Sequence, residues 1–227
     1  MRTKKHLLWF FTFTILNAAP LSSVFAQTEP PPEKPIILIT GFDPVGGATE
    51  NHSFQVAQQL KPLLAQHYDV YPCLVPTRYD QDFLAAQQCL LALPRKPDLI
   101  ISLGEGASCG QVNLEQATWN EDSDSLADNA GVTRVRHTII PNEPSKKKIR
   151  FYSQQIKSWL RTIPEIKLTH SIGNYVCNNL AFHWVTYLEN YSAPPIPFAF
   201  MHVQTHDCGD DLTTAPAIAS LIEKLPR

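Results

Sequence analysis

Only 18% of the 227 residues are charged, the net charge is −2, and no long basic cluster appears anywhere in the chain. A nucleic-acid binder needs many Lys and Arg on one surface to neutralise phosphates, so that class is excluded. The short run Lys146, Lys147, Lys148 and Arg150 reads as the solvated start of a helix. Glycine is also scarce, at 9 residues, and most of it falls in two loops, TGFDPVGG (40–47) and GEGASCG (104–110). Neither loop fits a nucleotide fingerprint: the first lacks the Lys and Ser/Thr of a phosphate loop, and the second does not lead directly into a helix. No internal repeat stands out. The apolar stretch from Leu7 to Leu16 is too short to cross a bilayer, which takes about 20 residues.

What is present describes a folded domain: 44% of residues are hydrophobic, enough for a full core. The N-terminus carries Arg2, Lys4 and Lys5, then the apolar stretch, then Val24, Phe25 and Ala26 as a small-residue cleavage site. Residues 1–26 therefore read as a secretory signal peptide, which places the mature protein outside the cytoplasm, secreted or periplasmic and free of the membrane once cleaved. Residues 27–35, QTEPPPEKP, are too rich in proline to pack and read as an extended tether. The domain proper spans 36–227.

Export changes the meaning of five cysteines, because an oxidising compartment lets thiols pair. Cys73, Cys89, Cys109, Cys177 and Cys208 are odd in number. Four of them in two disulfides would leave one free, although the pairing is not readable from sequence and five reduced thiols remain the alternative.

From residue 36 onward, short β-branched runs alternate with amphipathic stretches, the signature of βαβ units around a largely parallel sheet, and hence of an α/β fold. The strand candidates are 36–42, 69–75, 98–104, 167–172 and 196–203, and the helix candidates are 52–65, 79–92, 146–162, 178–190 and 212–225. Sheets of this kind bind ligands beyond the carboxyl ends of their strands.

Cys177 lies in HSIGNYVCNN, at the first turn of a segment whose Leu180, Trp184, Val185 and Leu188 recur at helical spacing. The N–H groups and positive dipole end of a helix start stabilise a thiolate, and the same N–H groups can hold an oxyanion. A nucleophilic thiol needs a base, and His202 closes the strand FAFMH at the same sheet end. His183 sits nearly two turns into the helix and points away. Glu115, after the second glycine loop, is the candidate to orient the imidazole. A competing set of metal ligands, His202, His206, Cys208 and Asp210, has no zinc-motif spacing, so no metal or other cofactor is expected.

The segments ITGFDPVGGATENHS, LGEGASCGQVNLEQATWN, DNAG, SIGNYVCNNLAF and FAFMHV stand in the order and near-spacing found in the pyroglutamyl peptidase I family, cysteine peptidase family C15, which the chain resembles over residues 36–204. The most specific parts are the GFDP–GG loop, the acidic residue 11 positions after Gly104, and VCN with a His 25 residues after the cysteine. The resemblance implies a three-layer α/β/α sandwich with a mostly parallel sheet. It also implies a triad of Glu115, Cys177 and His202, and removal of N-terminal pyroglutamate from peptides, with Phe42, Val45 and Tyr175 at the positions that meet the pyroglutamyl ring. It implies no metal and leaves the oligomeric state open.

Departures from the pattern are specific. Val45 stands where the family loop usually has a second Phe, and Tyr175 replaces another ring-packing Phe. The family arginine associated with the oxyanion aligns near Ser125, the arginine of the GGR loop aligns with Cys109, and the family's Glu-Arg pair becomes Glu115-Gln116. These losses define a second reading, a family member that binds peptides or another ligand without cleaving them.

Overall fold

The β-branched run IILITGF forms a strand buried along its whole length, β1 (Ile36–Phe42). Ile37 and Ile39 face one apolar layer while Leu38 and Phe42 face the other, as a strand covered on both faces requires. The computed structural model describes residues 33–151, 155–191, 194–209 and 213–226. The signal-peptide segment, residues 27–32 of the proline-rich tether and Asp210 lie outside these residues.

After β1 come α1 (His52–Leu64), β2 (Asp69–Val75), α2 (Gln81–Leu91), β3 (Leu99–Ala107) and β4 (Val112–Glu115). Four short strands follow, β5 (Ala117–Trp119), β6 (Asp122–Asp124), β7 (Arg134–His137) and β8 (Lys146–Lys148). The chain closes with α3 (Ile156–Trp159), β9 (Ile166–Thr169), α4 (Val176–Tyr191), β10 (Phe198–Gln204) and α5 (Thr214–Ile222). The main sheet has the order β2-β1-β3-β10-β4-β9. β2, β1, β3 and β10 run parallel, and β4 and β9 run parallel to each other but antiparallel to β10. Helices α1 and α5 cover one face with Leu60, Leu64, Ile218 and Leu221, and α2 and α4 cover the other with Leu90, Leu180 and Trp184. The fold is thus the α/β/α sandwich with a mostly parallel sheet.

The two-residue period of the strands decides which side chains meet α4. In β3, Leu99, Ile101 and Leu103 face α1 and α5, and in β10 Ala199, Met201 and Val203 do the same. Ile100, Phe198 and Phe200 face α2 and α4. Continuing that alternation places Gly104 and His202 on the α4 face at the carboxyl ends of their strands, where they pair in register. In β4, Val112 and Leu114 join the apolar layer on the α1 and α5 face, so Glu115 points the other way, toward His202.

The start of α4 is fixed by Asn178, the residue after the thiol. Its Nδ2 donates to the carbonyls of Trp119 (2.9 Å) and Glu121 (3.0 Å), and its Oδ1 accepts from Thr118 Oγ1 and Trp119 N–H, both at 2.8 Å. Asn178 is fully buried, so its own amide would otherwise be left without partners away from water.

The helix expected over 146–162 is not formed as such. Lys146–Lys148 is a strand paired antiparallel to β5, and helix appears only at Ile156–Trp159. Lys147 points inward and is held by Glu143 (2.8 Å) and Glu189 (2.6 Å), so the run is not a solvated helix start. Alternation through Lys147, Ile149 and Phe151, all buried, gives the segment a strand's period that its lysine-rich composition conceals. The strand expected at 167–172 ends at Thr169, before Gly173, whose φ of +79° turns the chain toward α4.

Replacing Asn178 with Ala removes four side-chain hydrogen bonds at the start of α4, leaving Thr118 Oγ1 only the backbone carbonyl of residue 178, and should lower stability by about 2–4 kcal/mol. Urea unfolding of the variant measures this as a lowered midpoint at unchanged slope. An unaltered midpoint would show that this polar anchor contributes nothing to the fold.

Candidate functional site

The ring of His202 is set by a buried carboxylate. Its Nδ1 lies 2.8 Å from Glu115 Oε1, and both residues are buried. An ionised carboxylate only accepts, so Nδ1 carries the hydrogen and Nε2 is left as the basic nitrogen. Glycines hold the other face of the ring. A Cβ on Gly106 would lie 2.9 Å from His202 Cδ2, and one on Gly104 would lie 3.4 Å from the same atom and 2.7 Å from Cys177 Sγ. The sulfur and the imidazole therefore flank one glycine, no further apart than those last two distances laid end to end. No hydrogen bond joins them among the described residues, a spacing that free enzymes commonly close only when substrate is bound.

Cys177 is the one free cysteine among the described residues, since Cys73 pairs with Cys89 and Cys109 with Cys208. The helix start does not lower its pKa as expected. Burial of the sulfur, with Asp82 and Glu115 adding negative potential, pushes the thiol up to about 12 against the opposing pull of its own backbone N–H. Asp82 is itself fully buried, with Oδ2 unpartnered, and burial drives its carboxyl well above the usual range. Desolvation outweighs the helix dipole because the dipole's effect on a charge amounts to only about 0.3–2 kcal/mol.

The residues assigned to the ring-binding positions are only partly brought together. Phe42 belongs to the apolar cluster under α4, and Tyr175 packs against that cluster beside Cys177. Tyr175 also meets Tyr79 edge-on at 5.7 Å and donates its hydroxyl to the carbonyl of Ala127. Val45 is not part of the cluster. It sits in a loop held by Asp43, whose Oδ1 accepts from Thr77 N–H (2.6 Å) and Asn129 Nδ2 (2.9 Å). Asp128 Oδ1 accepts from the N–H groups of Ala130 and Val132, and its Oδ2 from Tyr79 N–H, so the DNAG segment braces the same corner.

The competing metal set is not assembled, because the sulfur of Cys208 is bonded to Cys109 and His206 pairs through Nδ1 with Glu105 at 3.0 Å. His183 stacks on Phe83 with ring centroids 5.0 Å apart, away from the thiol as expected. Ser125, where the family arginine would fall, is exposed. Arg134 lies over the ring of Tyr79, with its charge taken up by Asp80 and Asp122.

Three residues near the site escaped sequence reasoning. Glu105 accepts the N–H groups of His52 (2.7 Å) and His206 (3.1 Å), tying α1 to the loop after β10. Asn178 carried a signal in following the thiol directly, and Asp82 carried none, since a carboxylate in a first helical turn is usually solvated.

A free thiol at a helix start, beside an imidazole oriented by a buried carboxylate on an α/β/α sandwich, has the architecture of a cysteine-dependent hydrolase. The family model for pyroglutamyl peptidase matches residues 35–214, and the chain belongs to that family of cysteine omega peptidases. Similar relatives include the pyrrolidone-carboxylate peptidases of Levilactobacillus brevis, 28% identical over 74% of this chain and 80% of that one, and of Thermosipho melanesiensis, 27% identical over 74% and 81%. The crystal structure of pyroglutamyl peptidase I from Bacillus amyloliquefaciens has the same fold, with a TM-score of 0.72 at 21% identity, covering 84% of this chain and 92% of that one.

With its pKa raised, Cys177 should alkylate slowly in the ligand-free protein at pH 7, and the iodoacetamide rate should climb about tenfold per pH unit between pH 7 and 9, as the thiolate fraction does. Non-reducing peptide mapping should place the label on Cys177 alone. A pH-independent fast rate would mean that a thiolate–imidazolium pair already exists at rest.

Proposed function

We propose that the chain is an exported cysteine peptidase that removes N-terminal pyroglutamate from peptides, with Cys177 as nucleophile, His202 as general base and acid, and Glu115 as the group that orients the imidazole. The observation that carries this reading is the His202–Glu115 hydrogen bond of 2.8 Å on a ring that shares Gly104 with the thiol. His202 Nε2 takes the proton from Sγ as sulfur attacks the acyl carbonyl of the pyroglutamyl residue, which leaves no free thiolate to be stabilised in advance. The same proton then goes to the leaving amine, and water, activated by His202, hydrolyses the thioester to free pyroglutamate.

The backbone N–H of Cys177, which already acts on its own sulfur, is the donor that takes the place of the arginine lost at Ser125, since the N–H groups of Asn178 and Asn179 donate to the Tyr175 carbonyl. Phe42 and Tyr175 supply the apolar contact for the lactam ring. The N-terminal sequence carries the export reading, and the two disulfides support it, because such bonds persist in oxidising compartments.

The raised thiol and the missing arginine favour a second reading, a weakly catalytic relative that binds peptides. Hydrolysis of a pyroglutamyl fluorogenic amide under mild reductant separates the two. Turnover is expected, with Cys177→Ala abolishing it and Glu115→Gln lowering kcat by about 10²–10⁴, as loss of an orienting carboxylate does elsewhere. Gly104→Ala should also reduce turnover, because its methyl group meets Sγ at 2.7 Å. A folded protein with a free Cys177 and no turnover of this or other amino-terminal amides would leave the binding reading.

A further inference from the structure

A groove of about 780 Å³ opens where β4, β8, β9 and α3 meet, within the size range of ligand sites. Glu115 and Gln116 form part of its wall. Leu114 and Leu168 add apolar lining, and Lys146, Lys148, Arg150 and Lys157 line it as well. These four cationic side chains are exposed, and among the described residues none is paired with a carboxylate. Lys146 instead lies over the Trp119 ring, 4.4 Å from its centroid. Glu115 is the one acidic residue in the described wall, and its Oε1 is already committed to His202.

The strand β8 sorts its own lysines. Lys147 points inward to two carboxylates, whereas Lys146 and Lys148, on the other face of β8, point to the groove and have none. Like charges around a concave surface repel one another and raise the local positive potential, and an anion bound there relieves both. The leucines of the lining give an aliphatic side chain an apolar surface beside that anion. Glu115 belongs to both the groove and the proposed triad, so the groove adjoins the triad at that residue, while Cys177 and His202 lie outside its lining.

We propose that this groove receives carboxylates of the leaving peptide, so that acidic peptides are the preferred substrates. This rests on the peptidase reading above. The carboxylate has two sources, the free C-terminus of a short peptide and the side chain of an Asp or Glu, and both offer the same chemistry to Lys and Arg.

Three probes separate the sources: pyroglutamyl-Ala-Leu-Asp-Glu with a free C-terminus, the same peptide as its C-terminal amide, and pyroglutamyl-Ala-Leu-Asn-Gln amide. The free acid should exceed the neutral amide in kcat/KM by about tenfold at low ionic strength, with the advantage shrinking as salt is added. The rate for the acidic amide assigns the effect to the side chains if it matches the free acid, and to the C-terminus if it matches the neutral peptide. Lys148→Glu/Arg150→Glu should bring the acidic-to-neutral ratio to one or below, and Lys157→Glu, on a different element, should lower it separately. A wild-type ratio near one, or a ratio unmoved by the double variant, overturns the proposal.

Binding of Ala-Leu-Asp-Glu, which has no pyroglutamyl group, to the Cys177→Ala protein keeps the two readings apart. Salt-sensitive binding that the double variant loses, without turnover by the wild type, would sink the peptidase reading and keep the groove. Turnover without any charge preference would do the reverse.

Discussion

The close approach of the first turn of α4 to the end of β3 is the contact on which the site depends. Gly104 has no side chain, and that vacancy is what lets Cys177 Sγ settle against the strand and the His202 ring lie beside it. Gly106 makes room for the same ring at Cδ2. Everything else serves to keep this approach in place. Asn178 fastens the helix to β5, Glu115 fixes the ring from a neighbouring strand, and the disulfide between Cys109 and Cys208 joins the loops that leave β3 and β10. A covalent link and buried hydrogen bonds hold the parts of the site to a rigid sheet, which is how a protein keeps reacting groups within a fraction of an ångström.

The electrostatics follow from the same packing. Placing sulfur under α4 surrounds it with protein on most sides and brings it within the field of Asp82 and Glu115, so the resting thiol keeps its proton. In the proposed reaction the nucleophile is generated by proton transfer to His202. Glu115, which with Asp82 raises the thiol, is in that proposal also the group that stabilises the imidazolium formed at that moment. Arg134 does not offset this, because Asp80 and Asp122 take up its charge and its guanidinium lies over Tyr79.

Much of this was legible in the residues. β1 and β2 were readable to their last residues, because β-branched runs bounded by Pro, Gly and Asp have no competing helical period. The grouping of Cys177, His202 and Glu115 was readable because each stands at the end of a strand or start of a helix on one side of the sheet. The short strands from β5 to β8 were not: DSD, RVRH and KKK have no strand composition, and pairing with distant partners imposes their conformation. The parity of the cysteines suggested one free thiol, but which four pair depends on distances that only the fold supplies. The thiol's pKa was misread for a similar reason, since a helix start is visible in sequence and the burial of a sulfur beneath it is not.

The central claim is that the sulfur of Cys177 carries the acyl group during turnover. Rapid quenching of the enzyme with an activated pyroglutamyl ester, followed by mass spectrometry of its peptides, tests this directly. The account predicts one pyroglutamyl adduct on the peptide containing Cys177, labile to hydroxylamine and absent when His202 is replaced. Steady turnover of the ester with no adduct on Cys177, or with the adduct on another residue, would contradict it.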